Sequence, residues 1–139
     1  VLFVPEQSLP TSVARSVLPT SVPFEDAIFN VGRIALLVNA LSTGDFSKFN
    51  IATKDRLHQP YREVLFPSMN KIMKAAIDGG AAGAFLSGAG PTIIALTGSN
   101  EMTIGFEMSE IASKSGVPGE VFVYSAAKSG THIVSGDTE

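Results

Sequence analysis

The chain has no cysteine, no tryptophan and only two histidines, His58 and His132. Without cysteine there is no disulfide framework, no thiolate nucleophile and no cysteine-type zinc site. No apolar run reaches the roughly 20 residues needed to cross a bilayer, because glycine or polar residues interrupt each one. Charged residues make up only 17% of the chain and the net charge is −3, so there is no basic surplus for nucleic acid or an anionic membrane. No basic region precedes the opening Val1-Leu2-Phe3-Val4, so that segment is not expected to be a secretory leader. No spaced set of His, Asp and Glu suggests a resident metal. The expected location is cytoplasmic, or a plastid if the source were a plant or alga.

What remains is a 139-residue chain that is 45% hydrophobic, enough for one domain with a single core. Val1 to Val4 reads as a strand stopped by Pro5, and as a strand entered in mid-protein. Thr11 and Ser12 offer N-caps for a short helix through Leu18. The longest helix is expected from Pro23 to Leu41, with Glu25 and Asp26 in its first turn and Gly44 closing it. Ala27, Ile28, Val31, Ile34, Ala35, Val38 and Leu41 form a helical stripe. Phe29, Leu36 and Leu37 lie off it, which predicts a helix buried on most sides.

A helical turn is expected over Asp45 to Phe49 and a further segment near Thr53 to Leu57. An irregular stretch follows between Pro60 and Pro67. The next helix runs from Pro67 to Asp78 and stops at Gly79-Gly80. Ser99 and Asn100 cap a last helix to Ser115, and Gly116 and Pro118 break it. Glu120 to Ser125 forms a closing strand, and a short strand near His132 to Val134 is conceivable before a frayed tail over 135–139. Residues 1–134 are thus read as one domain.

The most informative segment is Gly83-Ala84-Phe85-Leu86-Ser87-Gly88-Ala89-Gly90-Pro91-Thr92-Ile93-Ile94-Ala95-Leu96. Two brief apolar runs, read as strands, flank a Ser-Gly-Ala-Gly-Pro-Thr turn. Such a turn can aim backbone N–H groups at an anion, yet it is neither a Walker A loop nor a dinucleotide-binding glycine motif. The element order is strand, helices, strand, strand, helix, strand. It gives an α+β fold: a ferredoxin-like split β-α-β sandwich, an antiparallel sheet with helices on one face and extra helices in the first crossover.

Two polar constellations stand out beyond the turn. Thr11 and Arg15 are four apart on the short first helix and share a face, and a hydroxyl beside a guanidinium suits a carboxylate. Against this stands the plain reading of a capping Thr and a solvated Arg. Asp55-Arg56-Leu57-His58-Gln59-Pro60-Tyr61-Arg62 places two arginines and a histidine around a proline-containing loop, or else is a surface loop with a local Asp–Arg pair. No partner for His58 as a proton carrier is visible in the sequence, and His132 ranks below it.

Gly80-Ala81-Ala82-Gly83-Ala84-Phe85-Leu86-Ser87-Gly88-Ala89-Gly90-Pro91-Thr92 resembles the third signature motif of the GHMP kinases, a family of small-molecule kinases. Thr11-x-x-x-Arg15 and the Asp55–Arg62 segment, in this order, are similar to the homoserine kinase branch of that family. The resemblance implies a C-terminal domain whose intact enzyme moves the γ-phosphoryl group of ATP to the hydroxyl of homoserine, on the threonine pathway. It implies that Thr11, Arg15 and Arg62 bind the substrate carboxylate. It also implies that Ser87, Gly88, Ala89 and Gly90 support a phosphate loop carried by an N-terminal domain.

That domain, with most of the ATP and Mg²⁺ site, is absent from this sequence. The chain alone is therefore expected to be inactive and to carry no catalytic residue or metal ligand of its own. Another GHMP kinase, a non-catalytic ferredoxin-like binding or dimerisation module, and a homodimer through the apolar helix stay open.

Overall fold

The computed structural model describes residues 1–131. The expected strand near His132 and the tail over 135–139 lie outside the described residues. Four strands form one sheet: β1 (Leu2–Pro5), β2 (Gly83–Leu86), β3 (Ile93–Leu96) and β4 (Gly119–Phe122). Their order is β2-β3-β1-β4, and every neighbouring pair is antiparallel. Phe3 stands opposite Ile93 on one side and Val121 on the other, which makes β1 a central strand.

The expected α+β arrangement is present. Helices α5 (Met69–Asp78) and α6 (Glu101–Lys114) pack together on one face of the sheet. The period-2 alternation of the strands puts Phe3, Leu86, Ile93 and Ala95 into the core beneath them. Met69, Ile72 and Ala76 line the inner face of α5, and Ile104, Met108 and Ala112 that of α6, at spacings of three and four residues. Removing this set from water is the main force that closes the domain.

The long crossover from β1 to α5 carries α1 (Thr11–Ser16), α2 (Phe24–Thr43), a 3₁₀ turn (Phe46–Lys48), α3 (Phe49–Ala52) and α4 (Gln59–Arg62). Pro10, not Thr11 or Ser12, holds the N-cap of α1, with no side-chain cap. No helix forms over 53–57; those residues make a loop gathered around Asp55.

The burial of α2 departs from expectation. Its inward face is Phe29, Asn30, Arg33, Leu36, Leu37 and Ala40, whereas the stripe from Ile28 to Leu41 faces outward. Periodicity defines a stripe but not its direction. Here a polar pair, Asn30 and Arg33, sits on the buried side.

Candidate functional site

The site is organised by a one-turn helix. Asp55 accepts N–H bonds from Leu57 at 3.1 Å, His58 at 2.8 Å and Gln59 at 2.6 Å, and so caps α4. Asn30 of α2 donates its Nδ2 to the same carboxylate at 2.6 Å and accepts the Arg56 N–H at 2.9 Å. Burial is the largest single influence on Asp55 and would raise its pKa. The four hydrogen bonds together outweigh it, so the pKa lies below the usual carboxylate value. Arg56 turns away from Asp55: its guanidinium pairs with Asp26 at 3.2 Å and covers the ring of Phe29.

So fixed, α4 presents two buried polar side chains three residues apart. Gln59 Oε1 accepts the Leu86 N–H at 2.8 Å, where β2 runs into the glycine turn. Arg62 donates through Nη1 to the Gly88 carbonyl at 2.7 Å and through Nε to the Ala14 carbonyl of α1 at 3.2 Å. One guanidinium therefore ties α1 to the glycine turn. Its remaining nitrogen, Nη2, makes no hydrogen bond to the described residues and is not sealed from solvent.

His58 has a hydrogen-bond partner that the sequence did not show, Arg62. Its Nδ1 lies 3.0 Å from Arg62 Nη1, a contact that requires an unprotonated, accepting Nδ1. Burial lowers the His58 pKa, the Arg62 charge lowers it further, and Asp55, 3.7 Å from Nε2, opposes both.

In the turn, Ser87 N–H bonds to the Thr92 carbonyl and Gly90 N–H to the Ser87 carbonyl, each at 2.8 Å. Gly88 and Gly90 have positive φ (54° and 84°), and the Gly90–Pro91 bond is cis. A Cβ on Gly90 would sit 2.8 Å from Leu86 Cδ1. The N–H groups of Gly88 and Ala89 stay unused by the described residues, as do the hydroxyls of Ser87 and Thr92. A turn with two consecutive free N–H groups can face an anion or a second backbone.

The structure thus joins Arg62 to the turn residues and to α1. The side chains of Thr11 and Arg15 are exposed, make no hydrogen bond to the described residues and share the outer face of α1, next to the Ala14 carbonyl that Arg62 holds. Two residues of the site were missed from sequence: Gln59 and Asn30. A signal for α4 existed in Pro60, since a proline in the first turn marks a helix start, but nothing singled out the Gln59 side chain. Among the described residues no group of His, Asp and Glu could hold a metal ion.

Residues 36–105 match the family model for the GHMP kinase C-terminal domain. The chain is similar to homoserine kinases of Caldicellulosiruptor saccharolyticus (43% identity over 96% of this chain and 44% of that protein) and Aquifex aeolicus (43% over 97% and 46%). It thus spans just under half the length of these curated relatives. The crystal structure of a homoserine kinase from Cytophaga hutchinsonii superposes with a TM-score of 0.82 at 32% identity, covering 87% of this chain and 39% of that one. With a family match across half its length and a fold to suit, the chain belongs to the GHMP kinases, as a C-terminal domain of that family.

Proposed function

We propose that this chain is the C-terminal, substrate-side half of a homoserine kinase, which transfers the γ-phosphoryl group of ATP to the side-chain hydroxyl of L-homoserine to give O-phospho-L-homoserine. The observation that carries the reading is the Arg62 guanidinium, buried, bonded to α1 and to the glycine turn, with Nη2 left over. That free edge, with exposed Arg15 and Thr11 on α1, forms the carboxylate site of the proposal. Two guanidinium groups around one carboxylate anchor the amino acid and orient its hydroxyl.

The free N–H groups of Gly88 and Ala89 fit the role of bracing a phosphate loop through backbone contacts. ATP supplies the transferred group, and Mg²⁺ neutralises charge on its phosphates. In this reading Mg²⁺ is held mainly by the upstream half, and both oxygens of Asp55 serve protein donors instead. This chain alone is then inactive, and the whole enzyme works in the cytoplasm.

The test is ADP release from ATP–Mg²⁺ by the chain joined to the upstream half of a homoserine kinase. Homoserine should support turnover, and 3-aminopropanol, which lacks the carboxylate, should lose most of kcat/KM because arginines are left unpaired. Equal turnover of the two would transfer the assignment to a GHMP kinase whose substrate has no carboxylate.

A further inference from the structure

Arg33, on the inward side of α2, is a cation without a counter-ion. Its guanidinium makes no hydrogen bond or ion pair to the described residues. It rests on the Phe29 ring, 4.4 Å from the centroid. Its Nε is shielded from solvent and is the one buried side-chain polar atom among the described residues left without a partner. A buried donor with no acceptor is costly, and more so when it is charged. Arg56 covers the same ring at 4.1 Å, so two like charges share one aromatic side chain. Asp26 neutralises Arg56, and nothing comparable serves Arg33.

Arg33 forms part of the wall of a cavity of about 260 Å³, set between α2, the loop after α3, the start of α4 and β2. Two more donors line it. Lys54 is exposed, and its ammonium is unpaired among the described residues. The His58 ring accepts from Arg62 through Nδ1, so the neutral imidazole carries its proton on Nε2. That Nε2 lies 3.7 Å from Asp55, too far for a hydrogen bond. Asp55 is the one carboxylate in the wall, and its two oxygens already accept from Asn30, Leu57, His58 and Gln59. Ile34, Leu37 and Phe85 give the cavity an apolar side.

We propose that this cavity is a binding site for a short aliphatic carboxylate. Its head accepts from Arg33, Lys54 and the His58 Nε2–H, and its tail lies against Ile34, Leu37 and Phe85. The guanidinium swings off Phe29 to meet it, and Nε gains the acceptor it lacks. The volume is below the roughly 300–1,000 Å³ of sites for drug-sized ligands, which sets the small size of the occupant. A bare phosphate would lose its hydration against the apolar side and gain nothing there. The site is separate from the one proposed around Arg62. Neither Arg62 nor Arg15 lines this cavity, and His58 stands between them. The competing occupant is an acidic side chain of the upstream half. A free carboxylate is favoured because Val1, where a preceding domain would join, lines a different cavity that shares no residue with this one. The inference does not depend on the kinase reading.

The test is an NMR titration of the isotope-labelled chain with 3-methylbutanoate, followed at the Arg33 Nε–H, the His58 Nε2–H and the Phe29 ring. Saturable one-to-one binding that shifts all three is the expected result. The neutral analogue 3-methylbutanamide, and the variants Arg33→Gln and Lys54→Gln with 3-methylbutanoate, should each bind at least about tenfold more weakly, because charge-assisted hydrogen bonds are lost. Neither side chain makes a hydrogen bond in the fold, so both variants should keep the native amide spectrum. Shifts that do not saturate, or that spare Arg33, overturn the proposal. Equal binding of the amide or of inorganic phosphate overturns it too. So does loss of binding when the upstream half of the Caldicellulosiruptor saccharolyticus homoserine kinase is fused ahead of Val1, because that half would then supply the partner of Arg33.

Discussion

Arg62 Nη1 donates to the carbonyl of Gly88 across 26 residues of sequence, at 2.7 Å, so the shape of the glycine turn depends on a residue in a four-residue helix. The same side chain satisfies the Ala14 carbonyl. Replacing it by methionine keeps the bulk and strands both acceptors. Arg62→Met should cost about 2–4 kcal/mol of stability, read from the urea midpoint, since each buried unpaired group costs roughly 1–3 kcal/mol. Arg62→Lys should recover less than half, because an ammonium cannot span two carbonyls as the planar fork does.

His58 must stay neutral to accept from Arg62. Its pKa in the fold is below the 6.5 of an unfolded histidine, chiefly through burial. The stability it contributes is therefore complete above 6.5 and lost as pH falls through the lower folded value, where the unfolded chain binds the proton more readily. Urea midpoints at pH 7.5 and pH 5 should differ in the native chain. His58→Gln, which keeps a neutral acceptor, should flatten that difference.

Asp55 carries a second acid-sensitive contribution, in a lower window. Its stabilisation is present above the unfolded value of 3.8 and declines as pH falls below it. Asp55→Asn offers one accepting oxygen where two are used, and should cost about 1–2 kcal/mol at pH 7. Amide exchange should quicken at Leu57, His58 and Gln59 before it changes in α5 or α6.

Gly119 opens β4 where the backbone of β1 comes closest. A Cβ there would lie 2.6 Å from the Val4 carbonyl oxygen and 2.7 Å from the Phe3 ring. Gly119→Ala should destabilise by about 1–3 kcal/mol, since neither neighbour is a flexible side-chain end. Gly32→Ala should do the reverse. It fills open space on a helix and should add about 0.5–1 kcal/mol, read as a higher melting temperature.

Much of the fold was legible because its signals are local. Pro5 ends β1, Gly79 and Gly80 end α5, and the glycine turn separates two apolar runs that became β2 and β3. The i, i+3, i+7 spacing of Met69, Ile72 and Ala76 matched their burial. The direction of α2 was not legible, since both of its sides carry apolar residues and only tertiary packing decides between them.

The site divides the same way. The glycine turn and Arg62 could be singled out from sequence, but the contacts that position them are non-local. Gln59 reaches Leu86 across 27 residues and Arg62 reaches Ala14 across 48. Nothing in a window of ordinary length reports such a contact. Thr11 and Arg15 are exposed as a substrate-facing pair would have to be, and equally as a solvated pair would be.

The central position of β1 has a consequence for synthesis. Its partners are β3, about 90 residues later, and β4, which ends at Phe122. On a ribosome, residues 2–5 emerge ahead of the other strands of this domain and wait for almost all of it before either edge can pair. The crossover helices appear in that interval with no sheet to rest on, and α2 shows its apolar outer face throughout. Assembly of this domain is therefore a late, all-or-none event with high contact order, and slow by that measure. The waiting strand and the bare helix are the two places where a chaperone would earn its keep.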